Sequence, residues 1–94
     1  MRSSDAIALI KQRINIVELI NRFVPLKQVG SRFVAPCPFH EETKPSFSVN
    51  PDGYFYCFGC QKHGDIFDFW MEYHGVTFRE AMNQLAEMAN VTVD

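Results

Sequence analysis

The sequence lacks the features of a large, exported or membrane-spanning protein. Its 94 residues are the size of one small domain, too short for a polymerase or nucleotide-hydrolysing domain. No apolar run approaches the roughly 20 residues of a membrane span, and no apolar stretch of signal-peptide type follows the first residues. No Gly-rich segment ends in Gly-Lys-Ser or Gly-Lys-Thr, so no phosphate-binding loop is predicted. We expect a domain that is neither exported nor membrane-bound, and that is not an enzyme by itself.

Cysteine is scarce, and the count of three is odd. An odd number of cysteines in a chain without an export signal disfavours a disulfide framework. The composition therefore indicates reduced thiols or thiolates bound to a metal.

The chain also lacks a strong charge of either sign, with a formal net charge of −2. The charges are unevenly spread, because residues 22–62 hold five basic and three acidic side chains whereas residues 63–94 hold one basic and six acidic ones. A polyanion is therefore expected to contact the middle of the chain. The acidic last part is explained equally well as an ordinary solvated helical surface.

Local signals predict a pair of helices at each end and a β region between them. Asn15 followed three residues later by Glu18 is a capping-box pattern, and Thr77 with Glu80 repeats it near the other end. Pro25 ends the first helical pair because proline lacks a backbone donor. The predicted helices occupy about 5–24 and 65–90, and the β region occupies about 26–62.

Alternation with a period of two predicts two short hairpins in the β region. The second hairpin turns at Asn50-Pro51-Asp52-Gly53, which suits a type I turn. With this turn, Val49 is expected opposite Tyr54, and Phe47 opposite Tyr56 on the same side of the sheet.

Two pairs of metal-binding residues have the spacing of a zinc site. Cys37 and His40 are separated by two residues, as are Cys57 and Cys60, and sixteen residues lie between the pairs. This spacing allows two tight turns, joined by one hairpin, to direct four donors at one ion. Three thiolates and one imidazole complete a tetrahedral Zn²⁺ site with no open position, so a single structural zinc is predicted. The fold class is α+β, a small antiparallel zinc-ribbon sheet with N-terminal and C-terminal helices beside it.

Other chemistry at these residues is less well supported. A Cys57–Cys60 redox pair would be expected at the start of a helix in a βαβ unit, which the sequence does not show. His63 could compete as a zinc ligand, but the two matched pairs already supply four donors. Asp65 and Asp68 could hold Mg²⁺, although carboxylates in a first helical turn ordinarily stabilise the helix.

Aromatic and basic residues in the β region suggest contact with a nucleic-acid strand. Cations that meet phosphates and aromatic rings that stack on bases are how proteins hold single strands. The other reading of the aromatic residues is that they form the core under a helix, which we favour for Phe47, Phe55 and Phe58. The candidate nucleic-acid contacts are Arg32, Lys44, Tyr54, Tyr56 and Lys62.

Several motifs together resemble the N-terminal zinc-binding domain of the bacterial replicative DNA primase. The resemblance spans nearly the whole chain, including the helix-forming stretches 15–20 and 77–81. It departs from the family at Gln61, where a glycine usually follows the last cysteine. The motifs are Cys37-Pro38-Phe39-His40, Lys44-Pro45-Ser46-Phe47-Ser48-Val49, and Tyr56-Cys57-Phe58-Gly59-Cys60 followed by Gly64-Asp65.

The resemblance implies that residues 1–94 form one domain of a longer, cytoplasmic bacterial protein that acts at the replication fork in the nucleoid. The whole enzyme would be a DNA-directed RNA polymerase that makes RNA primers for DNA replication. This domain would bind single-stranded DNA template where a primer starts. The polymerase domain with its Mg²⁺, in the same or another chain, and the region that contacts the replicative helicase would lie outside these residues.

Two alternatives remain open at this stage. The chain could be a zinc-ribbon module that binds another protein without contacting DNA, which its weak net charge favours. It could also belong to a phage or plasmid primase, because the motifs do not separate these from chromosomal ones.

Overall fold

Helices at both ends of the chain flank a five-stranded antiparallel sheet in the computed structural model, which describes residues 3–39 and 44–92. The N-terminal helices are α1 (Ser3–Arg13) and α2 (Ile16–Asn21). The strands are β1 (Lys27–Val29), β2 (Arg32–Ala35), β3 (Phe47–Asn50), β4 (Tyr54–Cys57) and β5 (His63–Gly64). The C-terminal helices are α3 (Ile66–His74) and α4 (Phe78–Ala89). The predicted α+β class, with helices on both sides of the ribbon in sequence, is confirmed.

Side-chain caps define where the helices begin. The Glu18 N–H donates to Asn15 Oδ1 at 3.1 Å, which caps α2. At α4 the box is reciprocal, since the Glu80 N–H donates to Thr77 Oγ1 at 3.2 Å and the Thr77 N–H donates to Glu80 Oε1 at 3.3 Å. Helix α3 ends at Gly75, whose φ of 65° is readily adopted by glycine.

The sheet is a meander in which each strand pairs with the next, in the order β1-β2-β3-β4-β5. The last strand was not expected from the sequence. It has two residues, with His63 opposite Tyr56 and Gly64 opposite Phe55. A two-residue strand has no alternation to detect, so it becomes visible only through its pairing with β4.

One face of the sheet, which we call the inner face, packs against the helices. Phe47, Val49 and Phe55 project from it and are almost completely buried. Helix α2 contacts β3, and α3 contacts both β5 and α4. The largest fully buried side chains of the core are Ile10, Leu19, Ile20, Phe47, Val49, Phe55, Cys57, Phe69 and Leu85.

The opposite side, the outer face, carries the alternate residues of every strand. Cross-strand partners share a face and neighbours along a strand alternate between faces, so the paired registers assign nine residues to this side. They are Lys27, Val29, Arg32, Val34, Ser48, Asn50, Tyr54, Tyr56 and His63.

The predicted register of the second hairpin was wrong by one residue. Asn50, not Val49, lies opposite Tyr54, and Phe47 lies opposite Cys57. The loop has three residues, because Asn50 closes it by accepting the Gly53 N–H on its carbonyl oxygen at 3.0 Å. Tyr56 is therefore on the outer face, on the other side of the sheet from Phe47.

The first and last helices are joined at one end of the molecule. Arg13 Nη1 of α1 donates to the carbonyl oxygens of Ala89 at 3.1 Å and Asn90 at 3.0 Å. These carbonyl groups lie at the C-terminal end of α4, where a cation interacts favourably with the helix dipole.

Within the described ranges, none of the helices is long and apolar enough to cross a membrane.

Candidate metal centre and outer face

Three cysteine side chains meet at one end of the sheet. Cys37 follows β2, Cys57 is the last residue of β4, and Cys60 lies in the turn that leads to β5. Their sulfur atoms all lie within 4.8 Å of one another. Cys37 and Cys57 are buried, and Cys60 is partly buried. The meander thus brings together residues that are 20 or more positions apart in the sequence.

Three hydrogen bonds donated by backbone N–H groups hold the turn that contains Cys57 and Cys60. The Cys60 N–H donates to Cys57 Sγ at 3.4 Å, and the Gln61 N–H donates to the Cys57 carbonyl oxygen at 2.7 Å. The Cys57 N–H in turn donates to the Lys62 carbonyl oxygen at 2.8 Å. Gln61 leaves the turn with φ of 65°, in the left-handed region that favours glycine. The glycine expected from the resemblance would occupy this conformation without strain.

The spacing of the sulfur atoms fits tetrahedral zinc. Sulfur ligands at 2.3 Å from a tetrahedral Zn²⁺ lie about 3.8 Å from one another. Cys37 Sγ and Cys60 Sγ are 3.8 Å apart. A disulfide would need a separation of about 2.05 Å, so the two residues are not bonded to each other, and their separation fits two ligands of one metal ion.

The pKa values of the thiols differ within the cluster. Burial, together with the sulfur atoms of Cys57 and Cys60, raises the pKa of Cys37 to about 12. Burial alone would also raise the pKa of Cys57, but the N–H of Cys60 and the side chains of Cys37, Cys60 and Ser46 act on its sulfur and lower its pKa to about 7. Neighbouring thiols cannot all ionise without a compensating cation, which a divalent metal supplies when it binds and displaces their protons.

The remaining predicted ligand, His40, lies outside the described residues. The last described residue before it is Phe39. The centroid of the Phe39 ring is 5.8 Å from the centroids of the Phe47 and Phe55 rings. His63 is directed elsewhere, since its Nδ1 atom lies 3.1 Å from the carbonyl oxygen of Gln61 and its ring stacks on Tyr56. Among the described residues, the metal-binding cluster consists of the three cysteines.

The outer face brings together three of the five predicted nucleic-acid contacts. Arg32 is exposed at the start of β2, Tyr54 is 52% exposed on β4, and Tyr56 is partly buried two residues further along. Tyr54 Oη accepts a hydrogen bond from Asn50 Nδ2 at 2.9 Å, which fixes its ring across the hairpin. Exposed Lys27 on β1 shares this face and was not singled out by sequence reasoning.

The other two predicted contacts are placed differently. Lys62 precedes the outward-facing His63, so it projects toward the helices, where its Nζ atom pairs with Glu72 and lies 5.8 Å from the centroid of the Phe39 ring. Lys44 is exposed before β3 and is not part of the sheet. The structure therefore does not gather all five candidates on one surface.

Phe58 is the residue that sequence reasoning misplaced. It was expected in the core with Phe47 and Phe55, but it is 64% exposed. It lies between two clustered cysteines, where the chain turns and strand alternation no longer determines the direction of a side chain. Its ring contacts Tyr56 at a centroid distance of 4.8 Å. The position of Phe58 between Cys57 and Cys60, inside a predicted metal-binding turn, was the sequence signal that could have indicated its exposure.

A family model described as CHC2 zinc finger matches residues 2–94. The chain belongs to the CHC2 zinc-finger family. This membership confirms the predicted zinc and the resemblance to the primase zinc-binding domain, and the cysteine cluster is the place where the described residues could hold the metal.

Relatives of this CHC2 zinc finger are DNA primases. The chain is 48% identical to a DNA primase from Buchnera aphidicola over 80 residues, which are 84% of the chain and 14% of that relative. It is 38% identical to a DNA primase from Campylobacter jejuni over 94 residues, which are 99% of the chain and 16% of that relative. The chain therefore spans about one-seventh of the length of these curated relatives.

A solved structure has the same fold as this CHC2 zinc finger. The crystal structure of the Aquifex aeolicus primase, containing its zinc-binding and RNA polymerase domains, superposes with a TM-score of 0.89 at 36% sequence identity. The match covers 95% of this chain and 22% of that one. The similarity extends over the helices and the ribbon together, beyond the metal-binding turns alone.

Proposed function

We propose that this domain binds single-stranded DNA template for a primase that makes short RNA primers for DNA replication. The observation that carries the proposal is the outer face, where exposed Lys27 and Arg32 lie on the same side of one sheet as Tyr54 and Tyr56. Cations placed to meet phosphates beside rings placed to stack on bases are the two requirements for holding a single strand.

The charges of the outer face support this assignment. Its nine strand residues include two cations and no carboxylate. At about 4.8 Å between strands, the face extends about 19 Å from β1 to β5, enough for a short segment of a strand. Four acidic residues of the C-terminal part, Asp68, Glu72, Glu80 and Glu87, belong to α3 and α4. A strand that crosses the sheet is therefore kept apart from most of the negative charge.

We also propose that Cys37, His40, Cys57 and Cys60 are the four zinc ligands. The three sulfur atoms fit the metal, and His40 follows Cys37 at the spacing by which Cys60 follows Cys57. Bound zinc would link the end of β2 to the end of β4. Its role would be structural, because four protein ligands leave no position for a reacting group.

The remaining parts of the enzyme would lie in other segments of a longer protein. The RNA polymerase domain would carry the Mg²⁺-dependent chemistry, in the same or a partner chain, and a further region would contact the replicative helicase. The acidic helices α3 and α4 are available to dock on that polymerase domain. Such a protein would act in the bacterial cytoplasm, at the replication fork within the nucleoid.

The test is a titration of the zinc-loaded protein with short single strands at several salt concentrations. Direct strand binding should weaken as salt increases, with a slope near −0.7 for each phosphate neutralised. Tyr56→Ala should weaken binding with the zinc content unchanged. A complete absence of strand binding at low salt, with and without the polymerase domain, would reject the proposal in favour of a ribbon that binds only protein.

A further inference from the structure

We infer that Tyr56, Phe58 and His63 form a subsite for one base of the bound strand, in which the rings stack on the base and His63 selects bases that carry an amino group. This inference rests on the proposed binding of single-stranded DNA. It concerns which part of the outer face reads the strand, whereas Lys27 and Arg32 would hold its phosphates.

The subsite is a concave, open surface next to the metal-binding turn. Its cavity volume is about 440 Å³, within the range of small-ligand pockets, and its walls are mainly apolar. Phe58 is 64% exposed at its rim, which is unusual for a phenylalanine in a small domain. The lining residues are Tyr54, Phe55, Tyr56, Phe58, His63 and Gly64.

The rings are held in place by one another. Phe58 contacts Tyr56 edge to face, with ring centroids 4.8 Å apart and planes at 62°. The ring of His63 lies 6.0 Å from that of Tyr56 with planes inclined by 26°. Because the main chain at Phe58 is fixed by its N–H, which donates to the Ser46 carbonyl oxygen at 2.8 Å, the exposed ring is presented on a rigid turn. A rigid aromatic surface of this kind suits a stacked base.

The hydrogen bonding of His63 determines what its free edge can recognise. Its Nδ1 atom lies 3.1 Å from the carbonyl oxygen of Gln61. A carbonyl oxygen can only accept, so Nδ1 carries the proton and donates. In the neutral ring Nε2 is then an acceptor, directed away from Gln61 on an exposed side chain.

An acceptor beside a stacking surface discriminates among bases by their edges. Cytosine presents the N4 amino group as a donor and adenine presents N6. Thymine instead has the O4 acceptor and the methyl group at the place where cytosine has its amino group. The subsite should therefore favour cytosine over thymine, which are of similar size and differ mainly at this edge.

The experiment compares binding of oligodeoxycytidylate and oligodeoxythymidylate of equal length to the zinc-loaded protein. The expected preference for cytidylate is about two- to tenfold, the worth of one hydrogen bond. His63→Phe keeps an aromatic ring without an acceptor and should abolish the preference.

Stacking is tested with a matched pair of phenylalanines. Phe58→Ala should weaken the binding of both oligonucleotides by at least about fivefold, whereas Phe78→Ala, which truncates a 45% exposed phenylalanine on α4, should leave binding unchanged. Equal affinity of the wild-type protein for both strands, or a preference that survives in His63→Phe, would overturn the subsite while strand binding itself still supports the proposed function. No binding of either strand at low salt would overturn both.

Discussion

Cys37 and Cys60 are 23 positions apart in the sequence, yet their sulfur atoms lie 3.8 Å apart, the separation of two ligands on one tetrahedral zinc ion. The meander of strands produces this proximity, because β2 and β4, which lie on either side of β3, end at the same edge of the sheet. With the proposed ligands, zinc would join the two hairpins at this point, and its removal should destabilise the whole ribbon.

Replacing Cys57 by serine should release zinc and unfold at least the ribbon. Zinc binding contributes roughly 10–16 kcal/mol of apparent free energy in zinc-finger peptides at neutral pH, comparable to the whole stability of an ordinary domain. Zinc content and amide NMR dispersion report the outcome. Ser46→Ala, which removes only the hydroxyl group 3.7 Å from Cys57 Sγ, is the control and should keep its zinc. One tightly held zinc per chain in the Cys57→Ser variant would refute this ligand.

Replacing Gln61 by glycine should stabilise the zinc-loaded domain. Gln61 has φ of 65°, and a non-glycine residue in this region costs roughly 1–2 kcal/mol. Part of this gain is offset because glycine makes the unfolded chain more flexible, so the free energy of unfolding should increase by about 0.5–1 kcal/mol. Denaturant unfolding measures it. Gln61→Ala keeps the strain and is the control; an equal gain in that variant would assign the effect to the lost side chain.

The ion pair between Lys11 and Asp65 should make a small, pH-dependent contribution to stability. Burial alone would raise the pKa of Asp65, but Lys11, at 2.8 Å, and hydrogen bonds from Asp68 lower it below the ordinary value of 3.8. A lowered carboxyl pKa stabilises the fold above that ordinary value, and this contribution is lost as the pH falls through the folded-state pKa. Lys11→Gln should therefore raise the pKa of Asp65 and lower the free energy of unfolding at neutral pH by about 0.3–1 kcal/mol, since the pair is partly exposed.

An NMR titration of the Asp65 carboxyl group, with Lys27→Gln as a control on the outer face, measures this effect. An unchanged pKa in the Lys11→Gln variant would show that the capping hydrogen bonds alone hold Asp65 ionised. Those bonds come from the N–H groups of Phe67 at 2.9 Å and Asp68 at 3.2 Å.

Arg32 and Lys62 should respond differently when single strands bind. Arg32→Gln should weaken binding and make the dependence of the logarithm of affinity on the logarithm of salt concentration shallower by about 0.7, the loss of one phosphate contact. Lys62→Gln should change this slope less, because Lys62 pairs with Glu72 on the helical side of the sheet. The reverse order would assign the phosphate contact to Lys62 and place the strand on the other side of the metal centre.

Local signals in the sequence predicted much of this fold. The caps at Asn15 and Thr77 and the stop at Gly75 depend on residues within a few positions, so the helices could be placed from the sequence. The cysteine cluster was also predictable, because the spacing within each pair and the length of one hairpin are both sequence properties. The helices and the three-cysteine cluster could therefore be predicted without knowledge of long-range packing.

Features that depend on the geometry of a turn were not predictable in this way. Counting the residues around Asn50 did not reveal that it pairs with Tyr54, since three-residue and four-residue loops share the same amino acids. Burial of Phe58 was likewise inferred from its hydrophobicity, whereas the metal-binding turn directs it outward. The pairing of Lys62 with Glu72 requires the packing of β5 beside α3, which no local pattern encodes.

The unequal faces of the sheet give the domain two independent surfaces. Helices shield Phe47 and Phe55 on one side, while Tyr54 and Phe58 remain open on the other. A nucleic acid on the aromatic side and a protein on the acidic helices would not compete for space. Under the proposed function, such a domain would stay attached to a large enzyme while it searches along a strand, so that recognition of a starting point and its delivery to the enzyme would occur within a single encounter.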